Sequence, residues 1–277
     1  MRLVLQLLVV AAVAMAGSAA VQAANWNMPL TLGFGVATGV LLILAYAWIV
    51  RRTERRAVDE VAPRAAVSGL GRGLLLGVAL FAAVIVNIAF LDGYHVIGRG
   101  SVSGAVALFG FAVAAAVTEE LLFRGVLFRI FEDWAGTWVA LVASAALFGL
   151  SHAFNPHATV WSTLAVAVEA GGMLGAAYAA TRTLWVPIGL HLGWNFAEGG
   201  IFGTDVSGTD GPDGLLRATL SGPAPLTGGG FGPELSLYAV AAGVLATLVF
   251  LGLAHRRGRI LPRRGRRPAQ ANATLSR

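Results

Sequence analysis

The sequence predicts an all-α polytopic membrane protein, a bundle of about eight transmembrane helices, on three observations. Of its 277 residues 57% are hydrophobic and only 12% charged, whereas a soluble globular domain is about a quarter charged. Mean hydropathy is +0.74. Eight apolar stretches, at roughly 3–23, 30–50, 70–91, 103–123, 137–154, 160–180, 184–200 and 235–254, are long enough, or nearly so, to cross about 30 Å of hydrocarbon.

Each stretch has its own justification. Residues 1–24 carry Arg2, an apolar run and a small-residue end at 19–24, which suits either a first span or a cleaved signal segment; cleavage leaves seven spans. Residues 25–102 hold two more spans around an arginine-rich loop with Arg51, Arg52, Arg55, Arg56, Arg64 and Arg72. Residues 103–200 hold four spans and every motif discussed below. Residues 201–234, rich in Gly, Pro, Thr and Asp, read as a poorly ordered outer connector. Residues 235–254 are the last span, and 255–277 an arginine-rich tail.

Charge orients the bundle. With the N-terminus cytoplasmic, the 51–72 loop, the loops with Arg129 and Arg182 and the tail all fall inside, and only Arg99 and Arg217 fall outside. Asp92, Asp205, Asp210, Asp213 and Glu234 mark the outer side. The positive-inside rule therefore predicts a multi-pass protein of the cell (inner or plasma) membrane with a cytoplasmic C-terminus.

Composition also excludes several functions. There is no cysteine, so thiolate chemistry, disulfides and Cys-ligated zinc are ruled out. The net charge of +6 comes from arginines at the ends of apolar runs, which points to a lipid bilayer as partner and not to nucleic acid.

Glu119, Glu120 and Arg124 stand within six residues, directly after the apolar run 111–117. A charge at membrane depth costs at least about 2.5 kcal/mol unless it is paired or faces a polar cavity. Glu120 and Arg124 are four apart and share a helical face, so they can pair. Glu119 is rotated by about 100° and is free to act as a reactive carboxylate. The turn expected at 133–136 lies between Glu119, 16 positions before residue 135, and His152, 17 after it. An antiparallel hairpin then sets the two at equal depth, about 24 Å from the turn. Phe148, one turn before His152, is placed to back the site. His191 and Asn195, four apart on another span, share one face and suit the stabilisation of an oxyanion.

A carboxylate, an imidazole and an imidazole–amide pair meet the needs of water attack on an amide. Zinc or another divalent metal on Glu119, His152 and His191 remains open, since these are zinc-ligand types with room for a vacant position. No His-Glu-x-x-His pair and no Gly-x-Ser-x-Gly elbow is present, and Ser151 has no evident activation.

Glu119-Glu120-x-x-x-Arg124, Phe148-x-x-x-His152 and His191-x-x-x-Asn195, in this order on separate apolar spans, resemble the three motifs of the CPBP intramembrane proteases. These include type II CAAX prenyl endopeptidases and the bacterial Abi and bacteriocin-processing or immunity proteins. The resemblance covers 103–200. It implies a membrane-embedded endopeptidase, glutamate-dependent or metallo-type, with its site opening toward the cytoplasm. It further implies that Glu119 and His152 activate water while His191 and Asn195 stabilise the oxyanion. The expected substrate is a membrane-associated protein or peptide. Two other classes compete. A non-catalytic immunity or scaffold protein could keep the motifs for folding, and a proton-coupled transporter could use buried Glu and His as relays, although no inverted repeat supports it.

Overall fold

A computed structural model describes residues 1–263 of the chain. Arg264, Arg266 and Arg267 of the basic tail lie outside the described residues. Eight helices run through the fold: α1 Arg2–Ala23, α2 Met28–Glu54, α3 Ala66–Phe90, α4 Val102–Ala135, α5 Thr137–Phe154, α6 Val160–Thr181, α7 Trp185–Asn195 and α8 Leu237–Arg256. All but α7 are long and apolar enough to cross a membrane. The chain is a multi-pass, all-α membrane protein.

Helix α7 differs from the rest. It has 11 residues in α geometry followed by six, Phe196–Ile201, in π geometry. Nearly all of them are buried, as befits a helix that is apolar all round and enclosed by its neighbours. Glycine sets its position. A Cβ on Gly73 of α3 would sit 2.3 Å from Val186 O, and Cβ atoms on Gly189 and Gly193 would sit 2.4 and 2.3 Å from Leu70 O and Leu74 O. The α3 and α7 backbones therefore touch directly, in the small-residue packing that lets membrane helices approach closely. His191 lies two residues from Gly189, about 200° round the helix, so this contact turns His191 and Asn195 toward α4.

Helices α4 and α5 form the predicted hairpin. Gly136, at φ +84, breaks the helix where the sequence placed the turn. Two further helices carry π segments, Leu121–Phe128 in α4 and Ala167–Gly171 in α6. Such segments often mark functional sites.

The arginine-rich end of the bundle is closed by ion pairs. Arg129 donates to Glu54 at 2.6 and 2.7 Å and to Gln6 of α1 at 2.9 Å. Arg56 holds Glu60 at 2.7 and 2.9 Å, and Tyr46 donates to the same carboxylate at 2.7 Å. Arg182 bonds Glu132. These arginines join helix ends together as well as marking topology.

The opposite end corrects one expectation. Residues 201–234 are folded. Tyr94–Arg99 (β1) and Leu216–Leu220 (β2) form a two-stranded antiparallel ribbon. The rest of the segment tucks over the ends of α5 and α7. Thr204 N donates to Glu198 O, Leu215 N to Gly200 O and Gly208 N to Phe231 O. Gly208, at φ +72, would place a Cβ 2.0 Å from Pro156 O. Its glycines allow close approach of chain to chain, which composition alone cannot distinguish from a loose connector. Trp185 is buried, with its indole N–H on Ala62 O at 3.0 Å, whereas Trp134, Trp138 and Trp161 are exposed. Asn87 bonds Ala83 O of its own helix.

Candidate active site

Glu119 and Glu120 end the regular part of α4. Glu120 and Arg124 are fully enclosed, each 0% exposed, with Arg124 Nη1 2.7 Å from Glu120 Oε1. Arg124 Nη2 also donates to Gly171 O at 3.1 Å and Ala170 O at 3.3 Å. The π segment of α6 ends there, where interruption of the helical ladder leaves carbonyls able to accept. The guanidinium lies 4.6 Å from the centroid of the Phe148 ring, within cation–π range. The charge is thus met on three sides by groups from α4, α5 and α6.

Glu119 points elsewhere and is 26% exposed. Its Oε2 is itself buried and has no hydrogen-bond partner. It faces His152 Nε2 at 3.8 Å and His191 Nε2 at 3.9 Å. The hairpin therefore brings residues 33 positions apart in sequence, Glu119 and His152, to one depth, and α7 adds His191.

Local partners fix both rings. His152 Nδ1 is 2.8 Å from Phe148 O; a carbonyl only accepts, so Nδ1 carries the proton. His191 Nδ1 is 3.0 Å from Glu120 Oε1, a carboxylate already bound by Arg124, and is likewise the donor. Neutral rings then present bare Nε2 atoms to Glu119. Phe148 packs on both, with centroids 4.8 Å from His152 and 5.9 Å from His191.

This arrangement bears on the expected oxyanion donors. The Nδ1–H of His191 is committed to Glu120. The ring donates at the site only when Nε2 is also protonated. Asn195 borders two cavities, one of about 140 Å³ under residues 203–213 and one of about 20 Å³ behind the histidines.

Glu119, His152 and His191 stand somewhat wider apart than the ligands of a tetrahedral zinc. Zinc bonds of about 2.1 Å at tetrahedral angles bring ligand atoms to about 3.4 Å of one another, and the separations here are 3.8 and 3.9 Å. Among the described residues no group of three or more His, Asp or Glu side chains is arranged to hold an ion.

Two openings lead away from the site. Glu119 borders a lateral cavity of about 340 Å³ between α1 and α4, lined by Met15, Ser18 and Gln22. Asn195 opens under the folded 202–234 segment. Both lie away from the arginine-rich end, which the ion pairs close.

Residues 101–197 match the family model described as type II CAAX prenyl endopeptidase Rce1-like. The matched stretch holds all three motifs of the sequence. A curated relative, YdiL of Bacillus subtilis (strain 168), named as a candidate membrane peptidase, is 27% identical over 84 residues. That stretch covers 30% of this chain and 32% of the relative, so the match spans about a third of the relative's length. No solved structure matches the chain. The family match ends at residue 197, before the segment that covers the site.

One group at the site escaped the sequence reading. Glu234, taken as an outer-side charge, is 3% exposed and borders the small cavity with His152 and His191. Burial pushes its carboxyl up, and the two histidines only partly offset this. Glu198 is fully buried as well. Both depend on the fold of residues 202–236, for which the sequence offers no periodic signal.

Proposed function

We propose that the protein is an intramembrane endopeptidase that hydrolyses peptide bonds of a membrane-associated protein or peptide, with Glu119 as the base. One observation carries the reading. Glu119 Oε2, buried and unpartnered, faces the Nε2 atoms of two histidines whose Nδ1 protons are committed elsewhere. Three acceptors around one point are a seat for a water molecule, whose two O–H groups donate to two of them and leave a lone pair for attack.

Glu119 takes the proton from that water as its oxygen attacks the amide carbon. General base catalysis of this kind supplies about 10²–10⁴-fold. His152 orients the water through Nε2. Asn195 donates its amide N–H to the oxyanion; a single such donor is worth about 10²–10³-fold. His191 becomes a second donor when the proton that Glu119 has taken passes to its Nε2, 3.9 Å from Glu119 Oε2. Glu120 and Arg124 hold His191 in place. The substrate enters from the membrane by the side opening at Glu119. The C-terminus is cytoplasmic, on the arginine distribution.

The test compares membranes carrying the wild-type chain or Glu119→Gln, with new peptide N-termini mapped by mass spectrometry. Termini made only by the wild type, at equal expression and thermal stability, are expected. Equal yields from the Gln variant would sink the mechanism. Retained activity after exhaustive chelation is also expected; loss with rescue by zinc would favour the metallo-type alternative.

A further inference from the structure

Three more carboxyl groups are buried behind the histidines, on three different elements. Glu169 belongs to the π segment of α6, Glu198 to the π extension of α7, and Glu234 to the turn before α8; they are 1%, 0% and 3% exposed. Glu198 Oε1 lies 3.4 Å from Glu234 N, which sets the two buried carboxyl side chains next to each other. Two neighbouring buried carboxylates repel when both are ionised, and one proton held between them relieves that repulsion. Ser207 Oγ donates to Glu234 Oε1 at 2.9 Å, which fixes the orientation of that carboxyl.

The cluster is not a closed structural network. Glu169 Oε2 and Glu198 Oε2 are buried with no hydrogen-bond partner. Glu169 and Glu234 both line the cavity of about 20 Å³, which His152, His191, Asn195 and Ser207 complete. About 10–15 Å³ of such space holds one water. Glu119 does not border it. The histidines and Asn195 therefore have the base on one side and an acid-lined cavity on the other. The titratable groups acting on Glu234 are Glu198 and His191 of α7, Glu169 of α6 and His152 at the end of α5.

Amide hydrolysis needs a proton at the leaving nitrogen as well as a base at the water. We propose that Glu198 and Glu234 share one proton and deliver it, through a water in the cavity, to the leaving amine. This deepens the peptidase reading and rests on it. The balance closes: the water oxygen bonds to the carbonyl carbon, its proton goes to Glu119, the C–N bond breaks, and the nitrogen takes the proton from the Glu198–Glu234 pair. The proton taken by Glu119 is released to bulk water and the pair takes one back.

Infrared spectroscopy of the purified protein tests the pair without any substrate. A carboxylic-acid C=O band should persist at mildly alkaline pH. It should lose the same component in Glu198→Gln and in Glu234→Gln and keep it in Glu119→Gln. If neither Gln variant removes intensity, no proton is shared and the proposal fails. For delivery, Glu234→Gln should lower the yield of wild-type-specific N-termini at least tenfold and remove the alkaline limb of the pH profile. An unchanged yield and profile, with termini still lost in Glu119→Gln, would overturn delivery and leave the peptidase reading standing.

Discussion

The guanidinium of Arg124 lies 4.6 Å from the centroid of the Phe148 ring. That ring also stacks against His152 and touches His191, so one apolar side chain abuts the buried cation and both imidazoles. Phe148→Ala should destabilise the protein by about 3–5 kcal/mol, as expected for a large buried aromatic, and should also reduce turnover. Phe148→Leu keeps much of the volume and lacks the π face. It should recover most of the thermal stability and only part of the activity. Recovery of both would mean that the ring acts by bulk alone.

Breaking the Glu120–Arg124 pair from one side leaves a charge enclosed without its partner. Arg124→Met should cost about 3–5 kcal/mol. The double variant Glu120→Gln with Arg124→Met should be more stable than Arg124→Met alone, a non-additivity that a double-mutant cycle on thermal unfolding measures. Its activity should stay low, because His191 loses the carboxylate that holds its Nδ1 proton.

Asn195 is half-buried at the junction of two cavities, and removing its amide should affect rate more than fold. Asn195→Ala should reduce turnover by about 10²–10³-fold with an unfolding midpoint close to that of the wild type. A midpoint that collapses together with activity would assign Asn195 to packing.

Stability should fall in acid through Glu60. Burial alone would raise its carboxyl, but hydrogen bonds from Arg56 and Tyr46 outweigh this and hold it below the usual carboxylate range. A depressed folded-state value stabilises at every pH above the unfolded value. That contribution disappears as pH drops through the folded one. Unfolding curves should therefore shift down below about pH 4, and Glu60→Gln should be less stable near neutrality with a flatter acid limb.

The parts of the site that follow helical geometry were legible in the sequence. The pairing of Glu120 with Arg124 needs only a spacing of four. The approach of Glu119 to His152 needs only a turn at Gly136 and equal arms. What could not be read depends on irregular chain. Glu234 reaches the histidines only because residues 202–236 fold back through bonds such as Gly208 N to Phe231 O, and no period encodes that path. The burial of Glu198 likewise follows from the cover that this segment supplies, which counting residues along α7 does not reveal. The commitment of the His191 proton to Glu120 joins residues 71 positions apart, and their spacing gives no hint of which ring nitrogen faces the carboxylate.

The contact between α3 and α7 has a consequence for how variation can reach the chemistry. A methyl group at Gly73 would stand 2.3 Å from Val186 O, where ordinary contact begins near 3.4 Å. Relief requires α7 to move by about 1 Å, and a displacement of that size at reacting groups can cost about 10²-fold in rate. His191 and Asn195 would move with the helix. Under the proposed mechanism the substitutions most damaging to turnover therefore include the smallest possible ones, at the α3–α7 contact on the side of α7 away from His191 and Asn195, where the fold depends on having no side chain at all.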